Sequence, residues 1–117
     1  MLDVSEVDPF VACTKFAVEW LGHVASHDLT RAESMIDVVE SGIPFAQSFP
    51  APDGFTYCQP SRAEGWDLHF LALSQGGLSV DFEVPFLEKN FRPMMANFTM
   101  RRKGNFLEVR FGGLDIT

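Results

Sequence analysis

The period of the hydrophobic pattern changes partway along the chain, and that change limits the fold more than any single motif does. From Leu78 onward apolar residues fall at every second position, with Leu78, Val80, Phe82, Val84 and Phe86 alternating with Ser79, Asp81 and Glu83. A period of two belongs to a strand buried on one face, because successive side chains point to opposite sides of a sheet. Met94, Ala96, Phe98 and Met100 alternate in the same way with Met95, Asn97, Thr99 and Arg101, and Leu107, Val109 and Phe111 with Glu108 and Arg110. Gln75-Gly76-Gly77 and Lys103-Gly104-Asn105 supply turns between these strands. Gly112-Gly113 allows a bulge before Leu114 and Ile116. One earlier run, Trp66 to Leu73, carries apolar residues on both parities, with Asp67 and His69 on the second, and this predicts a central strand.

The first third of the chain has the other period. Asp8 before Pro9 is a helix start: the carboxylate accepts otherwise unpaired backbone N–H groups, and proline's fixed φ suits the first helical position. Phe10, Cys13, Ala17, Trp20, Leu21 and Val24 then recur at three- and four-residue spacing, which puts them on one stripe facing a core. Thr30-Arg31-Ala32-Glu33 has the form of a capping box and predicts a second helix with Ala32, Met35, Ile36 and Val39 on its apolar side. Gly42 and Pro44 end it.

Residues 43–65 hold four prolines and show no sustained period, so they read as one long irregular connection. Phe45, Phe49, Phe55 and Tyr57 punctuate it, a density of aromatics that predicts a loop pinned onto the core. Two helices before a run of hairpin-linked strands give an α+β fold, with both helices packed on a four-stranded antiparallel sheet. At 117 residues and 46% hydrophobic, the chain reads as a single domain over 1–117 with one core.

The stretch from Phe91-Arg92-Pro93 through Phe98-Thr99-Met100-Arg101-Arg102-Lys103-Gly104-Asn105-Phe106-Leu107-Glu108-Val109 to Gly113-Leu114-Asp115-Ile116 resembles the end of cystatin-like, NTF2-like domains. In those domains a strand, a basic-Gly turn and a second strand close the fold, and the sheet curves strongly. The sequence departs from that family in its Pro-rich loop, where a typical member has a third helix. The resemblance implies a cavity inside the curved sheet, in which Asp67 and His69 would do acid–base work or bind a small ligand. A hydrogen-bonded, partly buried structural histidine is the simpler reading of His69 and is favoured over that role.

Sixteen acidic residues against nine basic ones give a net charge of −7, which disfavours binding to nucleic acid or to an anionic membrane surface and favours a basic partner. Asp28, Glu33, Asp37 and Glu40 along the second helix, with Asp81 and Glu83 on the polar parity of a strand, are the candidate partner-binding face. Such a face would steer a basic protein by long-range attraction, as an immunity protein does when it neutralises a basic toxin. An ordinary solvated surface shows the same pattern. A homodimer through the open sheet face is compatible with any of these readings.

No stretch reads as an export signal or a membrane span, so the expected home is the cytoplasm. In that setting the triplet Asn97-Phe98-Thr99 is not read as a glycosylation site. Cys13 and Cys58 lack a CxxC spacing and are expected as free thiols. His23 and His27 stand four apart near a helix end beside Asp28, but two ligands do not make a metal site, and histidines there complement the helix dipole. No phosphate-binding loop, dinucleotide fingerprint or nucleophile elbow is present, so no cofactor is expected and a non-catalytic binder is favoured over an enzyme. Arg92 and Arg101-Arg102-Lys103 read as charges that blunt a sheet edge.

Overall fold

The computed structural model describes residues 1–26, 28–49, 69–84 and 94–116. In chain order these form strand β1 (Leu2–Asp3), helix α1 (Pro9–Ala25), helix α2 (Leu29–Ser34), strand β2 (Val38–Val39), a 3-10 turn at Phe45–Ser48, and strand β3 (His69–Ala72). A second 3-10 turn at Ser74–Gly76 leads into β4 (Leu78–Val84), β5 (Met94–Lys103) and β6 (Phe106–Ile116). The strands make one sheet in the order β1-β6-β5-β4-β3, antiparallel throughout that path, and β2 adds a short parallel pairing to β6. This is the expected α+β arrangement.

α1 forms for the reasons its sequence gives. Asp8 Oδ1 accepts the N–H of Phe10 at 2.9 Å, and Pro9 opens the first turn. At the other end Ser26 closes the helix on the Gly22 carbonyl with both its N–H and its hydroxyl. Cys13, Ala17, Trp20, Leu21 and Val24 of the expected stripe are buried, with Ala12 and Phe16, against Val80, Ala96, Phe98, Met100, Leu107, Val109 and Phe111 of the sheet. Phe10, at the stripe's outer end, is half exposed and meets the edge of Phe70, with ring centres 5.1 Å apart.

Trp20 organises the centre of the core. Its indole makes an edge contact with Phe98 at 5.1 Å and also packs on Phe45, Phe49 and Phe111. Edge-to-face aromatic pairs of this kind add about 0.5–1.5 kcal/mol each to the area they bury. Phe45 and Phe49 thus pin their segment to the core as expected, and Phe55 and Tyr57 lie outside the described residues.

Four expectations are corrected. The second helix is six residues long and is capped by Asp28, whose Oδ1 accepts the Arg31 N–H at 3.2 Å, in place of the Thr30 capping box. Val39, expected on its apolar side, is in strand β2, because the β6 backbone offers Val38 and Val39 extended pairing that β-branched residues favour. The sheet has six strands among the described residues, since β1 and β2 add to the four expected ones. Finally, β3 stands at an edge among the described residues, with His69, Leu71 and Ala72 exposed.

The outer edge of β6 is closed by three short pieces in succession. β1 pairs antiparallel with Leu107 and Phe106, and β2 pairs parallel with Arg110 and Phe111. Asp37 fills the interval between them: its N–H donates to the Val109 carbonyl at 2.9 Å, and its Oδ2 accepts the Val109 N–H at 2.7 Å. A carboxylate thus stands in for a missing strand residue. The β5–β6 ladder slips by one residue between Asn97 and Phe98, with Asn97 facing Gly113 and Phe98 facing Phe111. Gly112 is the extra residue, and Gly113 takes φ +121°, a conformation open to glycine and strained for other residues.

Candidate functional site

α1 occupies one face of the sheet and the apolar parity is spent there. The other face carries the polar parity, and its two ends differ. At one end His69 of β3 stands directly opposite Asp81 of β4, and Asp81 opposite Asn97 of β5. The bulge at Gly112 reverses the parity of the last residues of β6, so Leu114 faces inward opposite Ala96 and Asp115 outward opposite Met95. There the Asn97 amide donates to Asp115 Oδ2 at 2.5 Å.

This arrangement lays an imidazole, a carboxyl group, an amide and a second carboxyl group across four neighbouring strands on one open face. Partial burial holds the Asp81 carboxyl above its ordinary value; His69 pulls it down and the nearby Asp115 pushes it up. Among the described residues neither Asp81 nor Asp115 has a lysine or arginine partner.

At the other end Glu40 and Glu108 are matched by cations. Glu108 receives Lys103 Nζ at 2.8 Å and Arg110 Nε at 2.6 Å, and Arg110 reaches Glu40 with its other arm. The Lys103 and Arg110 hydrogen bonds hold the Glu108 carboxyl down at about 2, and the two carboxylates hold the Arg110 guanidinium above its ordinary value.

The candidate residues therefore separate. Asp28 is the cap of α2 and lies 3.4 Å from Arg31; Glu33 is exposed on α2; Asp37 is engaged by the β6 backbone; Glu40 is paired with Arg110. Asp81 lies across the sheet from all four, and Glu83 lies beyond it on β4 opposite Met95. His69 is exposed beside Asp81 on the face away from α1, and Asp67 lies outside the described residues.

Asn97 and Asp115 were not among the expected site residues. Their signal was the Gly112-Gly113 pair, which flips the parity of the residues after it and carries Asp115 to the polar face.

His23 lies 3.8 Å from Glu19 one helical turn away, and His27 and Cys58 fall outside the described residues. Among the described residues no three histidine, cysteine or acidic side chains gather to hold a metal ion. Burial pushes the Cys13 thiol up to about 11, which leaves it protonated and a poor nucleophile at neutral pH. No described helix is long and apolar enough to cross a membrane. No family model matches the chain, and neither a curated protein nor a solved structure is significantly similar to it.

Proposed function

We propose that this protein is a non-catalytic acidic binder that captures a basic protein, in the manner of an immunity protein covering a toxin, and that it does so through the end of the sheet holding Asp81 and Asp115. The carrying observation is that these two carboxyl groups face the same side of the sheet, on β4 and β6 with Asn97 of β5 between them, and have no lysine or arginine partner among the described residues, whereas Asp37, Glu40 and Glu108 are engaged within the protein. A lysine or arginine brought by a partner would donate to both carboxylates and relieve the repulsion between them. The net charge of −7 adds long-range steering toward such a partner. The proposed face thus keeps Asp81 of the expected set, leaves out the residues expected on the second helix and adds Asp115.

The cystatin-like or NTF2-like kinship is part of this proposal. Its support is the order of elements, with α1 laid across one face of a long-stranded sheet whose last hairpin carries a bend-inducing bulge. A cytoplasmic setting is proposed on the free thiol of Cys13. The second reading, an NTF2-type enzyme or small-ligand binder using Asp67 and His69, draws on the direct pairing of His69 with Asp81, an imidazole and a carboxyl group on adjacent strands.

Affinity capture from lysate followed by titration of the purified partner tests the proposal. A stoichiometric basic protein should bind more weakly as salt rises. Asp81→Asn combined with Asp115→Asn should weaken it about tenfold or more. A partner indifferent to both salt and this double variant would overturn the acidic-face reading. A small molecule whose turnover is lost in His69→Gln would establish the second.

A further inference from the structure

A groove of about 430 Å³ lies at the opposite end of the sheet from Asp81, lined by Leu73, Ser74, Gly77, Arg101, Arg102 and Lys103. The turn at Ser74–Gly77 packs closely on β5 there. A Cβ on Gly77 would stand 3.0 Å from the Met100 carbonyl oxygen and 3.6 Å from the Leu73 side chain, so glycine lets the turn approach the β5 backbone. The Arg102 stem passes beside Gly76, whose φ of +79° favours glycine. Arg102 Nε donates to the Gly104 carbonyl at 3.1 Å, which fixes the plane of its guanidinium.

Lys103 is neutralised by Glu108 at 2.8 Å, but among the described residues no carboxylate pairs with Arg101 or Arg102. In a chain of net charge −7 this is a local excess of positive charge beside a cavity. Edge protection alone would need the charges but not a cavity beside them.

We propose that this groove binds a small phosphomonoester, with the dianionic phosphoryl group on Arg101 and Arg102 and a short apolar body against Leu73. Guanidinium forks match phosphoryl oxygens with paired hydrogen bonds, and the Ser74 hydroxyl adds a donor at the same wall. The volume suits a small molecule. The chain's overall negative charge repels a phosphate polymer and disfavours nucleic acid as the occupant.

The test is an amide chemical-shift titration of the full chain with phenyl phosphate, using inorganic phosphate and phenol as its two halves. Saturable shifts confined to residues 73–77 and 101–104 are expected, tighter for phenyl phosphate than for phosphate, with none for phenol. Arg101→Gln with Arg102→Gln should weaken binding about tenfold or more while leaving the remaining spectrum in place. The wild-type titration stands even if that variant does not fold. Absence of saturation at about 10 mM phenyl phosphate, roughly ten times a dissociation constant of about 1 mM, overturns the proposal. So do shifts that map elsewhere, equal binding by the double variant, or tighter binding of a short single-stranded oligonucleotide.

Discussion

One face of this sheet carries two kinds of acidic residue. Beside β6, Asp37, Glu40 and Glu108 are matched by a backbone N–H, by Arg110 and by Lys103. At the far end, Asp81 stands between His69 and Asn97, Asp115 accepts from the Asn97 amide, and neither meets a lysine or arginine among the described residues. Glu108 is drawn down to about 2 by its cations, whereas burial raises Asp81. A count of acidic residues therefore says little about a binding surface. What matters is how many of those charges the fold has already used.

The strongest way to break the contrast is at Asp37. Asp37→Ala leaves the Val109 N–H, in a partly buried site, without its acceptor, and should cost about 1–3 kcal/mol in chemical denaturation. Asp37→Asn keeps an acceptor oxygen and should retain most of that. If alanine and asparagine behaved alike and cost nothing, the carboxylate would not be closing the β6 edge, and Asp37 would return to the set of available charges.

Asp37 also marks where the sequence stops being legible. α1 can be read in full because its cap and its stripe are local: Asp8, Pro9 and the recurring apolar residues act within a few positions of one another. The β4, β5 and β6 alternation is readable for the same reason, as are the glycine turns and the bulge. The second helix misleads because Ala32, Met35, Ile36 and Val39 keep a helical spacing, while the contacts that stop the helix come from β6, some seventy residues away in sequence. Alternation likewise gives a strand but not its place in the sheet, so His69–Ala72 reads as central and stands at an edge among the described residues. Of the candidate site, Asp81 and His69 are visible as polar residues on strands. Their meeting with Asn97 and Asp115 needs the strand order and register.

A smaller effect is expected from Glu108. Its carboxyl titrates below the ordinary value of 4.5, so the folded state gains from its ionised form above that pH, and the gain is lost as pH falls toward about 2. Denaturation midpoints of the wild type should drop across that window. Glu108→Gln should be less stable than wild type near neutrality and should flatten the acid limb. An acid limb unchanged in the variant would show that the Lys103 and Arg110 pairs are screened to insignificance.

The smallest change has the opposite sign, and for that reason it sharpens the comparison most. The Asp81 carboxyl is raised above 3.8 by burial and by Asp115, against the pull of His69. The protonated form is thus favoured in the folded protein: its contribution is fully present below 3.8 and is lost as pH rises through the raised value, leaving the ionised group a burden at neutral pH. Asp81→Asn should therefore leave stability unchanged or raise it by up to about 0.5 kcal/mol, a modest gain because the group is largely solvated. The same substitution should weaken capture of a basic partner. A residue that costs stability when free and gains affinity when bound is what a binding site requires, and a matched surface charge such as Glu108 shows neither effect. If Asp81→Asn instead destabilised the protein as Glu108→Gln is expected to, the two ends of the face would be alike, and the carboxyl pair would be one more structural contact.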